Sequence, residues 1–352
     1  MICTLGSFLR KMEEPGFDPG RTAFFMPGHG GPCRFGQYRM LQRIIFDRLG
    51  YRNVRIISPT NENAYREISV RNNTRLRMLM WYALVTGDLL RKLLQEYKPY
   101  EARPGAVREV YERCLGEAVA CLEQGGQGLR EVMREAARAF PQVPRLAQPR
   151  KPVIAVVGEI FMRDNPFCSG FVVDHLEALG GETIIAPIRE WIAFATYRYA
   201  RESAWRGSLK GMLRARIMEA AQNLLAARLD RAVAPAVEME RSISVETMLE
   251  LCDPYVHHHY VGDPPIALGA AAALSKTGIS GVANILPFTC MPGTLITSVS
   301  DVFRREHNHL PWVNISFDGQ QDTGIETRLQ AFMHQAREYA RRHGLDRPRD
   351  WD

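Results

Sequence analysis

The chain has 352 residues, 46% of them hydrophobic and 24% charged, with a formal net charge of +6. That is enough for a large core in two or three ordinary domains, and no uninterrupted apolar run is long enough to cross a bilayer. The positive excess is densest over Arg198 to Arg216 and Arg341 to Arg349, within helical patterns and beside no aromatic platform or reading module, which argues against nucleic acid and membrane partners.

Residues 1–148 predict an N-terminal α/β domain with a helical extension. A short helix covers Leu5 to Met12, and the apolar segment Thr22 to Met26 reads as a strand. Pro27 and a glycine-rich loop then lead to Cys33 and to a helix with Leu41, Ile44, Ile45 and Leu49 on one face. A strand around Val54 to Ile57 follows, and from Leu76 to Phe140 the pattern is helical. The proline-bounded basic segment Ala147 to Pro152 reads as the linker between domains.

Residues 149–352 predict a second α/β domain. Val153 to Val157 is a continuous apolar run of the kind buried on both faces of a parallel sheet. With the helix Val172 to Leu179 and the strand Thr183 to Ala186 it makes a βαβ step. A basic amphipathic helical region over Arg189 to Leu229 comes next, then strands at Val282 and at Val313 to Phe317, and a last helix over Ile325 to Arg342. Between the late strands, Val282 to Leu286 hands over through Pro287-Phe-Thr to Cys290 and a helix carrying Leu295, Val299, Val302 and Phe303.

Cys33 and Cys290 therefore share one local frame of strand, proline, short loop, cysteine and helix. A thiolate at a helix start meets free backbone N–H groups and the positive end of the helix dipole. Soft thiolates in that setting suit an iron–sulfur site, so both residues are candidate metal ligands. Activation of Cys33 by its helix and by His29 makes a cysteine nucleophile the rival reading. Cys114 and Cys121 fall on one helix face and read as packing residues, Cys252 is ambiguous, and Cys168 follows the first strand of the second unit toward the same crevice.

Gly28 to Cys33 only partly matches a dinucleotide fingerprint, and no loop ends in Gly-Lys-Ser or Gly-Lys-Thr, so neither a nicotinamide nor a P-loop site is expected. Neighbouring His257, His258 and His259 cannot all point at one ion from regular structure; His257 and His259 could do so on a strand, but no carboxylate or thiolate spacing supports a closed site, so a polar loop lining a pocket is the expectation there. Glu159 and Asp318 follow strands, where α/β proteins place functional groups or turn-forming residues. Seven scattered cysteines, and a start without the succession of a signal peptide, predict a cytoplasmic protein.

The segments Gly31 to Tyr38, Gly158 to Phe161, Pro287 to Gly293 and Asp318 to Phe332 resemble the activase-associated branch of the 2-hydroxyacyl-CoA dehydratase and benzoyl-CoA reductase family, to which double-cubane cluster proteins are related. The resemblance implies two flavodoxin-like parallel-sheet domains with additional helices and a cluster, of 4Fe-4S or double-cubane type, in the crevice between them. It implies an iron–sulfur oxidoreductase or acyl-CoA dehydratase component of anaerobic metabolism, with Cys33 and Cys290 as ligands and an ATP-hydrolysing activase as electron donor. Long members carry a further cysteine-proline motif just upstream of the segment matching Thr4 to Leu9, so the resemblance leaves the third ligand to Cys3, Cys168 or a complementary subunit. An apo scaffold in an activase or dehydratase complex is the non-enzymatic alternative.

Overall fold

The computed structural model describes residues 1–28, 33–59, 73–237, 243–318 and 324–348. Its centre is a four-stranded parallel sheet of β3 (Val153–Gly158), β4 (Glu182–Ile185), β5 (Gly281–Pro287) and β6 (Trp312–Phe317), ordered β4-β3-β5-β6. Strand β3 is buried along its whole length because helices cover both faces of the sheet. Val153, Ala155 and Val157 point toward α10 (Val245–Cys252), α11 (Pro264–Ser275) and α12 (Met291–Glu306). Ile154 and Val156 point to the other face, where Leu176 of α7 (Val172–Ala178) and Leu329, Phe332 and Met333 of α13 (Ile325–His343) close the core. The strand's alternation of side chains thus divides one apolar run between two cores.

Helix α11 is apolar on every side, and almost every residue in it is buried, as a helix packed all round must be. Its Gly269 lies so close to α10 that a Cβ there would stand 2.2 Å from the Met248 carbonyl oxygen. The basic helical region expected over Arg189 to Leu229 is two helices, α8 (Ile188–Trp205) and α9 (Leu209–Val233). They are separated at Gly207 and Ser208, whose hydroxyl accepts from the Gly211 N–H and starts the second helix.

The helical segment after residue 73 forms α3 (Asn73–Tyr97), α4 (Ala106–Glu123) and α5 (Leu129–Ala139). These helices share a core with α9 through Leu90, Leu93, Met133, Phe140, Leu229 and Val233. Helix α3 also reaches the sheet: the buried Gln95 donates to Thr183 at 3.3 Å, and Asp88 accepts the Ile188 and Arg189 N–H groups at the start of α8.

The N-terminal unit is smaller. Helix α1 (Ile2–Met12), the parallel pair β1 (Ala23–Phe25) and β2 (Arg55–Ile57), and α2 (Tyr38–Arg48) enclose a small apolar cluster of Met12, Phe24, Phe46 and Val54, beside which Gln42 and Met26 are also buried. The chain is a mixed α/β protein, and no helix among the described residues is long and apolar enough to span a membrane.

Candidate functional site

In the central sheet β3 leads outward to β4 and β5 leads outward to β6, so the chain reverses its winding between β3 and β5. At such a point the loops leaving the carboxyl ends of neighbouring strands part, and a crevice opens between them. Strand β3 ends there in Gly158 and Glu159, and β5 ends in the turn that carries Cys290.

Gly158 has φ +110°, and a Cβ would stand 2.2 Å from the Ile285 carbonyl oxygen, so only glycine lets the two strands meet at this edge. The next residue, Glu159, donates its backbone N–H to that same oxygen at 2.9 Å. Its carboxylate caps the short helix α6 (Ile160–Asp164), accepting from the Met162 N–H at 2.9 Å. Burial pushes the Glu159 carboxyl up, Asp263 adds to the effect, and the Met162 and Phe161 N–H groups oppose it.

On the other wall, Phe288 N–H donates to the Phe317 carbonyl, Thr289 takes a left-handed φ of +59°, and Cys290 becomes the N-cap of α12. Burial pushes its thiol up to about 12, with Glu159, Cys33 and Asp263 adding their negative potential and the Gly293 N–H opposing. The Cys33 turn completes the crevice from the N-terminal unit. Cys33 caps a single 3-10 turn, Arg34–Gln37, ahead of α2, and its sulfur accepts from the Phe35 N–H at 3.5 Å. Its thiol is also raised, first by burial and then by Asp263 and Glu159.

One bond joins the two cysteine turns: the Arg34 guanidinium donates to the Thr289 carbonyl at 2.8 Å, across 255 residues of sequence. Tyr38 and Tyr260 stand beside both thiols, whose negative potential adds to burial in raising both phenols. Tyr260 further donates to the Met291 sulfur at 2.9 Å. Asp263, which precedes the Pro-Pro start of α11, accepts from the Trp191 indole at 3.0 Å. Tyr38, Tyr260 and Asp263 had no weight in the sequence; Asp263-Pro264 marks a helix start, but not which crevice the helix would face.

The structure brings Cys33 and Cys290 together and separates the other cysteines. Cys114 is buried in the helical core and Cys121 donates to the Gln127 carbonyl at 3.1 Å. The ambiguous Cys252 is a packing residue, fully buried, with its thiol on the Val256 carbonyl at 3.3 Å. Cys3 lies in the first turn of α1 and Cys168 in the turn between α6 and α7, both half-buried. Asp318 follows the carboxyl end of β6; His29 to Pro32 and residues 319–323 lie outside the described residues.

The three histidines lie closer together than regular structure would bring them. They occupy an irregular turn between α10 and α11, where each offers a ring nitrogen within 4.8 Å of the others. Each ring is nevertheless already engaged: His258 Nδ1 meets Asp253 at 2.7 Å, His257 Nδ1 accepts from the His259 N–H, and His259 Nε2 lies 2.6 Å from the Arg201 guanidinium. A fixed cation at one ring opposes a second cation, so the turn is read as a polar loop.

Comparison with family models, with curated proteins and with solved structures returns no match. The function is therefore argued from the crevice.

Proposed function

We propose that the chain is the iron–sulfur electron-transfer or reductase component of a system like the 2-hydroxyacyl-CoA dehydratases, with flavodoxin-like domains flanking the site. The observation that carries this reading is the Arg34 to Thr289 bond, which holds two thiols from distant segments on one crevice. The donor set fits: two soft sulfurs, each at a turn entering a helix, with backbone N–H groups directed at them. A bound cluster supplies one-electron chemistry at low potential.

The residues of the chain then have distinct tasks. Cys33 and Cys290 would hold iron, and Arg34 fixes the distance between their turns. Glu159 and Asp263, when ionised, make the crevice negative and so disfavour an added electron. Proton uptake by Glu159, already favoured by burial, offsets that charge. Tyr38 and Tyr260 cover the thiols and limit water. A nucleophilic Cys33 is less favoured, because it leaves the second cysteine turn on the same crevice without a task.

An ATP-hydrolysing activase is the proposed electron donor. Its docking surface is narrower than the span from Arg198 to Arg216, since Arg198 is paired to Glu202 and Arg201 is held among Tyr197, Trp205 and His259. Arg206, Lys210 and Arg214 remain exposed at the α8–α9 tip, beside exposed Leu209, Leu213 and Ile217. Anaerobic reconstitution with iron and sulfide tests the cluster: broad visible absorption supports it, and a colourless chain refutes it. Stopped-flow reduction then tests the donor, with the rate expected to need activase and ATP and to fall as salt rises. Fast reduction without ATP would remove the activase.

A further inference from the structure

Helix α9 is apolar on two faces. One, through Leu225, Leu229 and Val233, belongs to the helical core shared with α3, α4 and α5. The other carries Leu209, Leu213, Ile217 and Leu224, which are 79%, 64%, 62% and 54% exposed, with the exposed Ala220 between the last two. Their spacing of four, four, three and four residues keeps these five side chains within about 80° of the helix circumference over about 22 Å. Packing in this chain needs only the first stripe; a second apolar stripe in water is the mark of a surface that another molecule covers.

The edge of the outer stripe is positive. Lys210, Arg214 and Arg228 follow one side of it, all three exposed. The two acidic residues of α9 are engaged, Glu219 with Arg216 at 3.0 Å and Asp230 with Arg189 at 2.6 Å. A second copy of the chain would therefore set these cations against their own kind, which disfavours self-association through this face. The width of the stripe narrows the choice further. About 80° is the seam along which one helix packs on another, and is less than the face a helix sinks into a core.

We propose that the outer face of α9, from Leu209 to Leu224, docks a single helix of a partner protein, one whose apolar stripe is flanked by Asp or Glu. Apolar side chains of that helix cover Leu209, Leu213, Ile217 and Leu224, and its carboxylates meet Lys210, Arg214 and Arg228. This mode of recognition stands without the cluster; naming the partner as the activase rests on the reading above.

The test uses the iron-free full chain and a labelled synthetic helix with leucines at the α9 spacing and glutamates beside them, compared with the same helix carrying lysines. Saturable binding of the glutamate helix is expected by fluorescence anisotropy, with the lysine helix roughly tenfold weaker or worse. Ile217→Glu should weaken the glutamate helix by about tenfold or more at an unchanged unfolding temperature, and the pair Lys210→Glu and Arg214→Glu should turn the preference toward the lysine helix. No binding of the glutamate helix, equal binding of the two helices, or binding that Ile217→Glu leaves intact would overturn the proposal. So would a dimer in sedimentation, or adsorption to vesicles of phosphatidylserine and phosphatidylcholine, that Ile217→Glu abolishes. Competition by the glutamate helix against activase-dependent reduction would support the activase as partner. Helix binding without effect on that reduction would support the docking face and remove the activase from it.

Discussion

The two cysteine turns have the same sequence frame and different structural support. Cys290 leaves a strand inside the four-stranded sheet and caps a sixteen-residue helix. Cys33 leaves a two-stranded sheet and caps one 3-10 turn, with the Phe35 N–H at 3.5 Å on its sulfur. The first position is fixed by its own domain, whereas the second is fixed in the crevice by Arg34. Similar local sequence thus places a thiol at a helix entrance, but its precision comes from what lies underneath.

The largest expected effect is on the Cys290 side. Gly158→Ala forces a Cβ onto the Ile285 carbonyl at a left-handed φ, and should cost more than about 3 kcal/mol in denaturant unfolding. A loss below about 1 kcal/mol would mean that the strand edge yields easily, and the contrast between the turns would weaken.

The next effect concerns the charges beneath that same wall. Glu190 is buried against Arg163 of α6, Arg189 of its own helix, and Asp88 and Lys92 of α3, and burial pushes its carboxyl up to about 7. A carboxyl raised in the folded state holds its proton longer than in the unfolded chain, so stability falls as pH rises from its ordinary value near 4.5 through about 7. The fall should be about 3 kcal/mol at roughly 1.4 kcal/mol for each unit. Glu190→Gln should flatten this part of a stability–pH curve measured by urea unfolding; an unchanged slope would assign the fall to other groups.

On the Cys33 side the expected change is smaller and local. Arg34→Ala removes the bond to Thr289, worth about 1 kcal/mol at an exposed site, and should speed Cys33 alkylation about fivefold. Cys290 alkylation should change little. Equal acceleration at both thiols would show that Arg34 supports the whole crevice. Smallest of all, Cys114→Ala should cost about 1 kcal/mol of packing in thermal unfolding and leave both thiols' alkylation rates alone.

These contrasts also mark what the sequence could express. The run Val153 to Val157 has no polar interruption, so its burial on both faces was legible from composition. Helix α11 carries no such signal, since Pro264 to Ser275 is apolar all round and has no periodic face. The cysteine turns were visible because proline, glycine and cysteine cluster there. Their meeting was not, because it depends on one guanidinium and a carbonyl 255 residues apart. The histidine turn shows the opposite limit: an argument from helix and strand geometry does not apply to an irregular turn.

The central claim is that Cys33 and Cys290 serve one site. Iron and acid-labile sulfide measured per chain, after anaerobic reconstitution of the unsubstituted protein, Cys33→Ala, Cys290→Ala and the double variant, test it most directly. The account predicts a loaded unsubstituted chain and two single variants that each fall to the level of the double variant. Equal loading in all four proteins, or two partial losses that add, would contradict it.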